Sequence, residues 1–333
     1  MKKFIQKIVF FGLFCGIFMT AIPIAIDPYN VFHADAIRDN GIEQNSNYIK
    51  MKYILENPNK YDSYLFGSSR VGAIHTENIA DANCYNMTYS EGLPKEHLDN
   101  LKTMVSNGII PKRVYMGVDS LSYTLSPEKH QTEHSRISYE YAKKNPIDFL
   151  LLYCDPHMAL QSLKTTKQYT PVAGYAERFY NVGWWCEYGR ESTINKDNAP
   201  TILGIHNFMD ETLEYIAEMV AICNDNNIEF IVFTNPMHYI AHYDSGDAYL
   251  EFLTKLADIT DYYNFSGLND ITLNHNRYVD TSHYNAETGD LMLEFLAGNI
   301  PDASLLAQGF GMYVTSENVD DLIALLNTQY VRE

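Results

Sequence analysis

The chain has 333 residues, a formal net charge of -18 and 46% hydrophobic residues. That balance suits a globular fold with a sizeable core and argues against adhesion to nucleic acid, anionic lipid or anionic polymer, leaving a neutral or cationic substrate as the better fit. Of the five cysteines, Cys84, Cys154, Cys186 and Cys223 are spaced too widely and irregularly for a zinc motif or a disulfide framework; a Cys154–Cys186 bridge and buried free thiols both remain open.

At the N-terminus, Lys2, Lys3 and Lys7 precede an uncharged apolar run from Ile8 to Ile26. At about 1.5 Å per residue it is long enough for a hydrocarbon core of about 30 Å, with the lysines kept inside. No small-x-small cleavage site follows, and the run ends abruptly at Asp27-Pro28, which favours a retained signal anchor over a removed signal peptide. Cys15 follows the bulky Phe14 and reads as an ordinary membrane residue. The expected organisation is an anchor over 1–26 and an extracytoplasmic domain over 27–333.

In that domain the strand candidates are Ser63–Phe66, Ala82–Met87, Arg113–Val118 and Glu229–Thr234, each short and apolar. Helical patterns cover His97–Asn107, Met209–Asn226, Ala286–Ala297 and Val319–Gln329. The alternation predicts an α/β fold with a mainly parallel sheet and helices on both faces, whose ligands bind beyond the C-terminal strand ends. Ser69, Asp119, Asn235 and His238 follow strands at that edge, the last three as candidate substrate-binding residues. Between Leu121 and Asn207 the rhythm breaks into a stretch rich in rings: Tyr139, Tyr141, Tyr169, Tyr175, Phe179, Tyr180, Trp184, Trp185 and Tyr188. It reads as a cap insertion over about 121–207. Its rings supply either the cap's own core or stacking surfaces for sugar.

The chemistry-bearing motifs are Phe66-Gly67-Ser68-Ser69-Arg70 and Asp280-Thr281-Ser282-His283. Tyr64-Leu65-Phe66 ends at Gly67, and Val71–Ile79 can begin a helix, so Ser69 falls in a strand-to-helix turn. Backbone N–H groups there, with a helix dipole behind them, favour negative charge on a substrate oxygen. A hydroxyl needs a base to attack, and His283, oriented by Asp280, supplies one. A serine at a helix start is commonly only an N-cap; the order Ser, Asp, His with the strands between them favours the triad. The pairs His130/His134 and His238/His242 have helical four-residue spacing but no acidic third ligand at a fixed distance, and Pro236 argues against a regular helix at the second pair. No metal or cofactor is expected.

The Gly-Ser-Ser turn after the first strand and the late Asp-x-x-His resemble the SGNH hydrolase superfamily. The resemblance implies a flavodoxin-like three-layer sandwich, with Ser69 as nucleophile, His283 as base and Asp280 as its partner. The family's oxyanion hole adds a glycine N–H from a second block, for which Ser90 and Gly92 stand beside Ser69 as candidates. Its third block, Gly-x-Asn-Asp, is here Gly117-Val118-Asp119, without the asparagine. A tethered domain of this kind is similar to proteins that work beside membrane-bound O-acyltransferases, moving acetyl or other acyl groups onto or off cell-envelope polysaccharides or wall polymers. The expected function is accordingly a serine acyltransferase or esterase acting on such a polymer, with a membrane-bound O-acyltransferase as acyl donor. The alternatives are a carbohydrate esterase that only removes acyl groups and a non-catalytic polysaccharide-binding or assembly protein on the same fold.

Overall fold

In the computed structural model, residues 1–183 and 207–329 are described. Trp184, Trp185, Cys186 and Tyr188 lie outside them. In chain order the helices are α1 (Lys2–Ile26), α2 (Ser46–Glu56), α3 (Pro94–Ser106), α4 (Leu121–Thr124), α5 (Pro127–His130), α6 (Tyr139–Lys144), α7 (Pro146–Tyr153), α8 (Pro156–Gln168), α9 (Tyr175–Val182), α10 (Met209–Asp225), α11 (Tyr239–Ala257), α12 (Ala286–Leu296), α13 (Ala303–Ala307) and α14 (Val319–Gln329). The strands are β1 (Ser63–Phe66), β2 (Cys84–Asn86), β3 (Arg113–Val118), β4 (Glu229–Thr234), β5 (Tyr262–Asn264) and β6 (Met312–Val314).

Contacts divide the chain into two compact units, residues 1–56 with 128–180, and residues 57–127 with 181–333. The division differs from a single domain beginning at Asp27, because the segment after α1 shares its core with the middle of the expected cap. Val31 packs with Ile137, Ala142, Phe149 and Tyr153, and Ala34, Ile37 and Ile49 pack with Phe179. Tyr48 contacts the rings of Tyr139 and Phe149, and the Tyr180 hydroxyl donates to Ala34 O at 2.7 Å. Those rings therefore serve this unit's own core. α1 is long and apolar enough to cross a membrane.

The second unit is α/β. Its six-stranded sheet has the order β2-β1-β3-β4-β5-β6, parallel except for β6 against β5. β1 is buried along its whole length, as expected of a central parallel strand covered on both faces. Leu65 lies opposite Tyr115, and Phe233 opposite Tyr263. On one face Leu65, Tyr115 and Phe233 share a core with Val71, Tyr278, Tyr284 and the α12 residues Met292 and Phe295. On the other, Phe66 stacks on His97 of α3 with centroids 4.9 Å apart, and the Tyr262 hydroxyl donates to Leu253 O of α11. The chain leaves β1 for β2 on one side and reaches β3 on the other, which opens a crevice at the C-terminal ends of β1 and β3.

Strands β1, β3 and β4 run as predicted. β2 is shorter, because Asn83 is taken into a turn with Asp62, whose N–H donates to Asn83 O and whose carboxylate accepts from Asn83 N. α3 begins three residues before the predicted start, with Pro94 in its first turn and the Glu96 side chain accepting from Leu93 N. α11 runs where Pro236 argued against a regular helix: the proline stays outside, His238 is the N-cap residue, and Gly246 (φ 52°, ψ -148°) breaks the helix within. Cys84, Cys154 and Cys223 are free thiols.

Candidate active site

The turn after β1 is shaped by one valine. Gly67 has φ +143°, and a Cβ there would lie 2.5 Å from Val71 Cγ2 and 3.0 Å from Gly117 O. A Cβ at Gly117 would also overlap Val71 Cγ2. Both glycines thus admit the buried Val71 beneath the turn, and the chain reverses sharply enough to leave Ser69 half-buried at the strand end. His97 Nε2 lies 3.1 Å from Gly67 N and 3.0 Å from Gly67 O, and the Ser68 hydroxyl accepts from Arg70 N. Ser69–Ala73 is a 3₁₀ turn of five residues rather than the start of an α-helix, because Val71 N donates to Ser68 O and Ile74 N to Val71 O. The long-helix dipole expected behind Ser69 is therefore missing, and only local N–H groups act there.

The second motif folds on itself. Tyr278 and Tyr284, both buried in the core, pair as an antiparallel bridge, and Val279 N donates to His283 O at 2.9 Å. Inside this loop Asp280 Oδ1 accepts from Ser282 N at 2.8 Å and His283 N at 2.9 Å. His283 Nδ1 lies 2.9 Å from Asp280 Oδ1 and 3.0 Å from Oδ2, and His283 Nε2 lies 2.9 Å from Ser69 Oγ. Since a carboxylate only accepts, Nδ1 is assigned the proton and Nε2 is left to accept from the serine. Burial by itself would push the Asp280 carboxyl up. The hydrogen bond and charge of His283 and the two loop N–H groups outweigh that effect and hold it down at about 2. Ser69, His283 and Asp280 are thus brought together, and His283 precedes α12 as expected.

The other expected residues divide. Ser68 and Tyr89 form a parallel bridge that carries the β1–β2 pairing into the two turns. Gly92 N donates to Tyr89 O at 3.1 Å, closing the second turn, so this N–H is not offered to a substrate oxygen. Its glycine is required for close approach: a Cβ would lie 2.7 Å from Gly67 O and 2.9 Å from His97 Nε2. Ser90, half-buried in that turn, remains the candidate donor beside Ser69.

Asp119 and Asn235 are corrected from substrate contacts to buried fasteners, each 1% exposed. Asp119 Oδ1 lies 2.8 Å from Arg70 Nη1 and accepts from Leu121 N, and Oδ2 accepts from Asn235 Nδ2 at 2.9 Å. The Arg70–Asp119 pair is held by charge at close range rather than by an aligned hydrogen bond. His238 is likewise buried, with Nε2 3.1 Å from His275 Nδ1; burial and then the neighbouring His275 lower its pKa to about 4. It shares that contact with His275, not with His242. His130 accepts from Arg136 Nε, while His134 stacks on Tyr29, so the first histidine pair does not converge either. Sequence reasoning missed Arg70, Val71 and His97 as supports of the turn. Arg70 stood inside the motif, but its buried partner, Asp119, comes just after another strand, β3.

No family model matches the chain, and no curated protein matches it. The connected side chains can deprotonate a hydroxyl at Ser69 Oγ, store the proton on His283 and stabilise the resulting imidazolium at Asp280.

Proposed function

We propose that the chain is a membrane-tethered serine acyltransferase or esterase of the SGNH hydrolase type, acting on O-acyl groups of a cell-envelope polysaccharide or wall polymer. The observation that carries this reading is the 2.9 Å approach of His283 Nε2 to Ser69 Oγ, with Asp280 behind the imidazole. The sheet order supports it, since β2-β1-β3-β4-β5 is the flavodoxin-like order and Ser69 stands at its switch point. In the proposed reaction Ser69 Oγ attacks the acyl carbonyl and its proton passes to His283 Nε2. His283 then protonates the departing oxygen of the donor, leaving an acyl-serine. A sugar hydroxyl or water gives its proton to His283, attacks the acyl carbon and returns Ser69 with its hydroxyl restored. The extracytoplasmic side and a membrane-bound O-acyltransferase as donor belong to the same proposal; confinement beside such a donor raises its effective concentration.

One observation favours a second reading, a polysaccharide-binding or assembly protein without turnover. The Asp119 side chain brings no N–H donor where the family has asparagine, its backbone N–H is taken by Ser122 Oγ, and the Gly92 N–H is occupied. Loss of one oxyanion donor costs about a hundredfold or more. The test is incubation of the full chain and Ser69→Ala with a small activated acetyl ester, read by product release and intact mass. The expected result is an acetyl adduct or turnover that depends on Ser69, with oligosaccharides then competing with water. Equal inertness of both proteins toward several acyl donors, with polysaccharide binding intact, would leave the binding protein as the better account.

A further inference from the structure

The first unit exposes apolar side chains in a pattern its own core does not need. Ile147, Leu150 and Leu151 on α7 are 71%, 41% and 64% exposed, and Leu160 and Leu163 on α8 are 53% and 37% exposed. Scattered apolar surface residues are ordinary; these five sit on two consecutive helices joined at Cys154-Asp155. α8 packs beside α1, and Leu163 and Thr166 line a cleft of about 590 Å³ with Ala25 and Ile26 from the last turn of α1. Arg38 Nη2 donates to Ile26 O at 3.1 Å, fixing the segment after α1 to the carbonyl end of that helix.

Position then follows from length. Ile8–Ile26 at about 1.5 Å per residue covers close to the roughly 30 Å of a hydrocarbon core, so Ile26 lies near its boundary when Lys7 lies at the other. Whatever packs on Ile26 is held at that depth. The local charge departs from that of the whole chain, whose net charge of -18 disfavours anionic lipid: across α6–α8, Lys143, Lys144, Lys164 and Lys167 outnumber Glu140, Asp148 and Asp155. All four lysines are exposed.

We infer that α7 and α8 form a second membrane contact, lying in the interface of the same bilayer that α1 crosses, with Ile147, Leu150, Leu151, Leu160 and Leu163 at the boundary between headgroups and acyl chains. Helices with apolar side chains on one side and lysines around them bind lipid in this way, most strongly where anionic headgroups are present. The contact goes beyond the proposed reaction and stands or falls independently of it.

The test uses the full-length chain in liposomes of phosphatidylcholine with a minor fraction of phosphatidylglycerol, doped with a phospholipid carrying a diazirine near the headgroup end of its acyl chain. After irradiation, adducts are mapped by peptide mass spectrometry. Labelling of Ile147–Leu151 and Leu160–Leu163 is expected on the order of tenfold above that of Ile300 and Tyr313, which are exposed residues of the other unit. The variant Leu151→Glu/Leu163→Glu should lose those adducts and keep the ones in α1. Adducts confined to α1, or absent from the whole chain, would overturn the inference. So would lysine cross-links between copies at Lys164 and Lys167 without lipid adducts, because a second copy would then occupy the face.

Discussion

Replacing Asp119 by asparagine separates a fastener from a substrate contact. The side chains of Arg70 and Asp119 are 6% and 2% exposed and their charged atoms are 2.8 Å apart. An asparagine keeps the shape: its oxygen can still accept from Leu121 N, and Asn235 can turn its own amide to meet the new NH₂ group. Only the charge is lost. At 2.8 Å the attraction is about 6 kcal/mol at an effective dielectric constant of about 20, of which a neutral amide retains part. Stranding one member of a buried pair costs about 3–5 kcal/mol, so Asp119→Asn should destabilise the chain by about that amount. At about 2–4 °C per kcal/mol for a unit of this size, the thermal midpoint should fall by about 6–20 °C. The assay is thermal unfolding of the full chain in detergent, followed by near-UV circular dichroism. The double variant Arg70→Met/Asp119→Leu, which removes both charges, should recover to within about 1–2 kcal/mol of the parent. A midpoint shift under about 2 °C for Asp119→Asn, together with a raised KM toward an acyl donor, would refute the fastener role and return Asp119 to the substrate.

Asp280→Asn should lower acylation of an activated ester by about 10³–10⁴-fold at neutral pH, through loss of the correct His283 tautomer; a change under tenfold would break the triad. Because the folded Asp280 carboxyl titrates at about 2, below its unfolded value of about 3.9, its stabilisation is complete above about pH 4 and fades as pH falls through about 2. The stability gap between parent and Asp280→Asn should narrow over that window, as followed by thermal midpoints against pH. Burial lowers His238 to about 4 and His242 to about 3, so both are neutral in the fold and take up protons on unfolding. Stability should decline as pH drops below about 6.5, and His242→Gln should roughly halve the slope between about pH 6 and pH 5; an unchanged slope would count against the burial argument. Gly67→Ala should cost about 2 kcal/mol or more from the positive φ and the overlap with Val71, and adding Val71→Ala should recover only the overlap. Tyr278→Phe, which removes the 2.6 Å hydrogen bond to Pro236 O, should cost about 1 kcal/mol of stability. It should also reduce kcat more than KM, by up to about a hundredfold, if that bond positions the His283 loop.

The sheet was legible because β1, β3 and β4 are unbroken apolar runs, and α10, α12 and α14 carry a clear helical period. β5 and β6, at three residues each, are too short to show a period, and α11 was hidden by reading Pro236 into the helix instead of before its cap. Ser69, Asp280 and His283 were legible because a triad needs those residue types in local contexts that sequence displays. The roles of Asp119 and Asn235 were not. A residue after a parallel strand faces either the crevice or the packing beneath it, and only the Arg70 guanidinium, arriving from the turn after β1, decides which. Gly117 likewise fitted a motif block, while its physical use is room for Val71.

Both halves of the triad are mounted on one dipeptide at the end of β4. Asn235 donates to Asp119, which pairs with Arg70, the residue next to Ser69. Pro236 O accepts from Tyr278, two residues before Asp280. The Ser69 turn and the His283 loop are more than two hundred residues apart in sequence, yet each reaches the same short segment through buried contacts. A shift of that segment would therefore carry both motifs with it. Separate mounts would let small backbone movements add to the Ser69–His283 distance, and a misplacement of about 1 Å can cost about a hundredfold in rate. On the proposed reaction, Asn235 and Pro236 contribute by keeping the 2.9 Å contact constant, although neither touches Ser69 or His283 in that chain of contacts.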